Sequence, residues 1–145
     1  MQQKESVEVP VEYLISVHKM LNQSYEKMKE ALGESVALMF FAMASEYDPL
    51  PDLPYTDIDA VDKGLDSMLK TYGYSLTATK RGDKVEYRLR CPHAATIHPE
   101  MGSGATFCPM SQLALGAIRR RHKRSVLTES RLEKDGSSFM VEVQD

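Results

Sequence analysis

Tyr74–Cys91, YSLTATKRGDKVEYRLRC, is the stretch where the sequence period changes from helical to two. Tyr74, Leu76 and Ala78 alternate with Ser75, Thr77 and Thr79. After Arg81-Gly82-Asp83 the alternation resumes, with Val85, Tyr87, Leu89 and Cys91 set against Glu86, Arg88 and Arg90. Apolar–polar alternation marks a strand with one buried face, and a glycine turn between two such runs marks a hairpin. Cys91 extends the apolar face of the second strand.

Upstream of this hairpin the pattern is helical. Residues 1–10 read as a flexible lead ended by Pro10, and Val11, Leu14, Val17, Leu21 and Tyr25 carry a helix to about Leu32, with Gly33 as its stop. A second helix, roughly Glu34 to Glu46, is apolar almost all round through Val36, Leu38, Met39, Phe40, Phe41 and Met43. Such a helix belongs in a core, in a dimer seam or in the wall of an apolar pocket. Phe40, Phe41 and Met43, with Tyr87 from the sheet, are the candidate lining for a small apolar ligand; the plain alternative is that they are core. The three prolines of residues 47–55 make that segment an irregular connection. Thr56 or Asp57 then caps a third helix whose stripe is Ile58, Val61, Leu65, Met68 and Leu69, closed at Tyr72-Gly73.

Downstream, residues 92–107 read as a loop. Cys108 takes an N-cap position with Pro109 at the first helical position, where a missing N–H is harmless. Met110, Leu113, Ala114, Ala117 and Ile118 form the buried stripe of a fourth helix. A last hairpin runs from about Ser125 to Glu133, turns at Lys134-Asp135-Gly136 and returns from Ser138 to Val143. Three helices, a hairpin, a helix and a hairpin give an α+β fold with a four-stranded antiparallel sheet, one domain over residues 11–145.

The chain of 145 residues is long enough to bury one core without disulfides. Its net charge of −3, from 18 basic and 21 acidic residues, gives no global attraction for nucleic acid. No apolar run approaches the roughly 20 residues of a membrane span, and MQQKESVEVP lacks the apolar segment of a signal peptide. A cytoplasmic protein with two reduced cysteines is the expectation. The run Arg119–Arg124, RRRHKR, reads as cations that complement a helix C-terminus and keep it solvated.

Leu89–Ser111, LRCPHAATIHPEMGSGATFCPMS, holds both cysteines and two of the four histidines, His93 and His98. A strand enters this stretch and a helix leaves it, so Cys91 ends one rigid element and Cys108 opens another. Soft N and S donors at such a junction point to zinc, with iron as the alternative. Cys91, His93 and Cys108 are the expected ligands, with His98 or Glu129 completing the set. Three other readings stay open: a Cys91–Cys108 redox pair, a nucleophilic Cys108 with His93 or His98 as base, and cysteines that are merely small apolar fillers. A helix N-terminus favours a thiolate, which suits Cys108 as ligand or as nucleophile.

Phe107–Val143, FCPMSQLALGAIRRRHKRSVLTESRLEKDGSSFMVEV, resembles the end of the 4-vinyl reductase domain family, a group of small-ligand-sensing domains. Those domains end in a cysteine-opened helix and a hairpin bearing a glutamate, a cysteine, a turn glycine and a second cysteine. The element order is also similar to subunits of a vesicle-tethering complex. In zinc-containing members the helix cysteine, the glutamate and the two hairpin cysteines hold the metal. Cys108, Glu129 and Gly136 match; Leu132 and Ser137, Ser138 or Phe139 stand where the hairpin cysteines would be. The resemblance implies a stand-alone sensor or binding protein; the donors available in this sequence for the missing metal ligands are Cys91 and His93, and the apolar second helix is the expected seam of a homodimer. The rival functions are a small-molecule hydrolase or reductase using Cys108 or a metal-bound water, and a structural assembly subunit.

Overall fold

The structure, a computed structural model, describes residues 8–44, 46, 48–54, 57–102, 105, 108–122 and 124–143. Residues 1–7 of the expected lead, the alternative cap Thr56 and the side chain of Phe41 lie outside the described residues. Helices α1 (Val11–Leu32), α2 (Ser35–Ala44) and α3 (Ile58–Lys70) precede strands β1 (Ser75–Arg81) and β2 (Lys84–Arg90). A short helix α4 (Ala94–Ile97) and a 3-10 turn (His98–Met101) follow, then helix α5 (Pro109–Arg121) and strands β3 (Val126–Glu133) and β4 (Gly136–Glu142). The sheet is antiparallel throughout, in the order β1-β2-β4-β3, so the second hairpin docks on the first through β4.

Local chemistry explains these elements. Asp57 caps α3 by accepting the Ala60 N–H at 2.9 Å. Val61, Leu65 and Leu69 on one face of α3 are fully buried, and each buried aliphatic side chain contributes about 1.5–3 kcal/mol. Asp66, on the same helix, accepts the Leu76 N–H at 3.0 Å and fixes the start of β1 against α3. Gly82, at φ 68°, supplies the left-handed residue that the tight turn between Arg81 and Lys84 requires.

Val85, Tyr87 and Leu89 of β2 and Phe139 and Val141 of β4 face the same core as α3 and α5. The β2 alternation is therefore as expected. Only Leu76 is buried on β1, which is an edge strand, and Ala78 is exposed. Gly136 was expected to serve the turn, but its φ is not in the left-handed region. Its reason is space: a Cβ there would lie 1.7 Å from the carbonyl oxygen of Leu89.

Two expectations fail. Among its described residues the second helix is mostly exposed, and its main contacts are with other helices and not with the sheet. It packs on α5 and α1. Val36 is 1% exposed, whereas Leu38, Met39 and Met43 are 57%, 49% and 62% exposed. The loop after β2 is not structureless, because Ala94 and Ile97 are buried and draw a helical turn out of it.

The basic run departs from expectation as well. The Arg121 side chain is 3% exposed and donates to both carboxylate oxygens of Asp48 at 3.0 Å. It also donates to the carbonyls of Leu50 (2.6 Å), Leu53 (3.0 Å) and Ala117 (3.2 Å). Burial works against the Asp48 carboxylate, but hydrogen bonds from Arg121 and the Leu50 N–H, with the charges of Arg121 and Arg120, outweigh it. Asp48 is held below the usual carboxylate range. The end of α5 is thus clamped to the proline-rich connection rather than left to solvent. A guanidinium serves here because its planar fork matches a carboxylate and several carbonyls at once.

Candidate functional site: the thiol junction

Cys91 lies one step beyond the sheet. Ser75 pairs with Arg90, so continuing the β1–β2 register sets Tyr74 opposite Cys91. On its other side the β2–β4 ladder ends at Arg90 and Gly136, and the Cys91 N–H donates to the Asp135 carbonyl at 2.9 Å. Cys91 is two residues past Leu89 and keeps the inner face of the strand. The chain then turns sharply: the Ala94 N–H donates to the Cys91 carbonyl at 3.2 Å, and the His93 N–H donates to Cys91 Sγ at 3.4 Å.

Cys108 comes to the same corner from α5. Ser111 in the first turn of α5 shares a 2.7 Å hydrogen bond with Ser137 of β4, and Ser137 pairs with Leu89. Cys108 lies three residues before Ser111, on the same face of the helix. It opens α5 with no side-chain capping bond, is 8% exposed and belongs to the main core cluster, against which Tyr74 packs. The electrostatics agree with this placement. The Tyr74 hydroxyl is pushed above its ordinary range by burial first, then by the charge of Cys91 and a hydrogen bond with it, then by the charge of Cys108. Both thiols are free.

Of the other expected ligands, His93 adjoins the corner through its main-chain N–H on Cys91 Sγ, while His98 and Glu129 are not brought to it. His93 is exposed at the N-cap of α4 and makes no side-chain capping bond. His98 turns toward β3, where its Nδ1 bonds the Glu133 carbonyl. A carbonyl only accepts, so the proton sits on Nδ1. Glu129 is exposed opposite Met140, on the sheet face away from the helices, and the sheet separates it from Cys108. Among the described residues there is no group of three or more His, Cys, Asp or Glu that could hold a metal ion. A structural zinc takes four N or S ligands, so the donors present do not fit that ion. Neither histidine ring is hydrogen-bonded to Cys108 among the described residues, which leaves a nucleophilic Cys108 without its base.

The expected pocket lining is scattered too. Phe40 packs edge-on against Tyr25, with ring centroids 5.4 Å apart, and Met43 faces solvent. Tyr87 is core: it stacks on Phe139 at 5.0 Å, and its hydroxyl donates to Asp62 Oδ1 at 2.8 Å. Asp62 is pushed up to about 6, by burial first and by the nearby charge of Asp59, against the hydrogen bond from Tyr87 and the charge of Lys80.

Tyr74 was missed as a site residue, although counting back from the Gly82-Asp83 turn places it opposite Cys91. Asp62 and Asp48 carried no local signal, since each gains its role from an element distant in sequence. No family model, no curated protein and no solved structure matches this chain.

Proposed function

We propose that this chain is a small ligand-sensing module, similar to the 4-vinyl reductase domain, whose ligand is gripped by Cys91 and Cys108 beside Tyr74. The reading is supported by the β1–β2 register, which sets Tyr74 opposite Cys91, and by the Ser111–Ser137 bond, which brings the start of α5 to the end of β2, each element carrying one free thiol. A ligand joining these sulfurs would couple the first hairpin to α5, and α5 is the helix on which α2 rests. The exposed Leu38, Met39 and Met43 of α2 would carry the output, by association with a second copy of the chain.

The test uses phenylarsine oxide, which bridges two thiols that share one site. The reduced protein should take up the reagent in equal proportion, lose alkylation at both cysteines together and melt at a higher temperature. Independent alkylation of Cys91 and Cys108, with no bridged adduct, would refute the reading. The output is checked by sedimentation: Leu38→Glu with Met43→Glu should shift the protein to monomer, and an unchanged sedimentation coefficient counts against a dimer on this face.

A further inference from the structure

Away from the cysteines, a cleft of about 400 Å3 opens between the α4 and 3-10 segment and the end of β3. Its walls are mostly apolar: Ala95 and Pro99 come from the first segment and Leu132 from the strand. Small-molecule sites span about 300–1,000 Å3, and this cleft lies toward the lower end of that range.

Two polar groups interrupt the apolar lining, and the chain uses neither. His98 donates from Nδ1 to the Glu133 carbonyl, which fixes the ring and its tautomer and leaves Nε2 as a bare acceptor. Among the described residues Nε2 has no hydrogen-bond partner. Lys134 also lines the cleft, and its ammonium forms no ion pair among the described residues. The carboxylates on either side of it in the turn are engaged elsewhere. Glu133 accepts from Arg131 at 3.2 Å and from Ser138 at 2.9 Å, and Asp135 pairs with Arg90 at 3.6 Å. Lys134 therefore carries the one uncommitted charge among the described lining residues.

These groups specify a ligand by their complements. A bare acceptor asks for a hydroxyl, an unpaired ammonium for an anion, and Pro99 with Leu132 for an apolar body. A planar ring is the body that costs least to order, because it has no rotamers to freeze. We propose that the cleft binds a small hydroxylated aromatic carboxylate. Its hydroxyl donates to His98 Nε2, its carboxylate pairs with Lys134 Nζ, and its ring rests on Pro99 and Leu132. Neither cysteine lines the cleft, so this site stands or falls apart from the thiol pair.

The experiment is a nuclear magnetic resonance titration of the nitrogen-labelled full chain with para-hydroxybenzoate. The imidazole Nε2 resonance of His98 should move saturably, with those of the other three histidines still, and the Kd should be about 1 mM or tighter. Benzoate, which lacks the hydroxyl, should bind up to about tenfold more weakly, the value of one hydrogen bond. Para-hydroxybenzyl alcohol, which lacks the carboxylate, should lose up to about fivefold, the value of an exposed ion pair. His98→Asn keeps an amide N–H for the Glu133 carbonyl and removes Nε2. Read by the main-chain amides of Ala95 and Leu132, it should bind para-hydroxybenzoate no better than benzoate. Lys134→Met should weaken para-hydroxybenzoate and leave para-hydroxybenzyl alcohol unchanged. The dispersion of the amide spectrum shows whether each variant is folded. No movement at His98 up to about 10 mM ligand, far above any useful affinity for a ligand of this size, would overturn the proposal. Equal binding of the three compounds, or binding indifferent to a folded His98→Asn, would reduce the cleft to an apolar hollow and overturn it too.

Discussion

The two ends of α5 are built on opposite plans. At its C-terminus Arg121 is fully enclosed, with its two terminal nitrogens spread over Asp48 and the carbonyls of Leu50, Leu53 and Ala117. At its N-terminus Cys108 makes no side-chain capping bond and is buried in the core cluster against which Tyr74 packs, at the end of the sheet where β2 carries the second free thiol, Cys91. One end spends the terminal nitrogens of Arg121 within the chain, and the other opens with a cysteine that makes no side-chain capping bond. The helix is anchored by the clamp at one end.

The contrast breaks most violently at the clamp. Arg121→Met leaves the Asp48 carboxylate beside its former partner's apolar replacement, and loss of one member of a buried ion pair costs about 3–5 kcal/mol. Urea unfolding should show that loss, while phenylarsine oxide still bridges the cysteines of the folded fraction. A loss under about 1 kcal/mol would mean that Arg121 is a surface pair and not an anchor.

Gly136→Ala tests the other end. The added methyl would meet the Leu89 carbonyl at 1.7 Å, so β2 and β4 must separate just where Cys91 leaves the sheet. Overpacking of this kind costs about 1–3 kcal/mol. Unlike Arg121→Met, it should also impair thiol bridging, because the Cys91–Asp135 bond is the next rung of the same ladder. Normal bridging in a destabilised Gly136→Ala protein would separate the thiol corner from the sheet edge.

A third prediction turns on pH. Asp62 has its folded value raised to about 6 from an ordinary 3.8. The folded state therefore holds this proton more tightly than the unfolded state. The stabilisation is complete below about pH 4 and is lost as pH rises through 6. Asp48 and Asp66 run the other way, contributing above their ordinary range and losing that contribution as pH falls. Asp62→Asn keeps an acceptor for the Tyr87 hydroxyl and removes the charge. It should gain about 1–2 kcal/mol at pH 7, after allowing for partial exposure, and flatten the profile between pH 4 and 6. An unaltered difference from wild type across that range would show that Asp62 is solvated.

The fold was legible because its signals are local. The alternation of Val85, Tyr87 and Leu89, the Gly82-Asp83 turn, the Asp57 cap and the Cys108-Pro109 helix start each lie within a few residues. The site was legible only as far as the two cysteines. Whether Glu129 faces the thiols depends on strand parity across a bulge between Leu127 and Glu129, which no pattern announces. The partner of Arg121 lies 73 residues away in sequence, so a run of cations reads as solvated until the connection folds over it. The α2 helix misled for a related reason: apolar composition fixes that a surface seeks cover, not that the same chain provides it.

The smallest effect is the most discriminating. Cys91 is half-exposed, and its main-chain bond to Asp135 does not depend on the side chain. Cys91→Ser keeps an acceptor for the His93 N–H at a partly exposed position and should cost less than about 1 kcal/mol. Cys108→Ser puts a hydroxyl into a buried position and should cost about 1–3 kcal/mol. If the thiols are only small apolar fillers, the two substitutions differ in stability and in nothing else. If they share a ligand, they are equal in function despite that difference, and Cys91→Ser abolishes the bridged phenylarsine adduct while the protein melts as before. A Cys91→Ser protein that melts normally and still forms the bridged adduct would dissolve the pairing on which the contrast between the two ends of α5 rests.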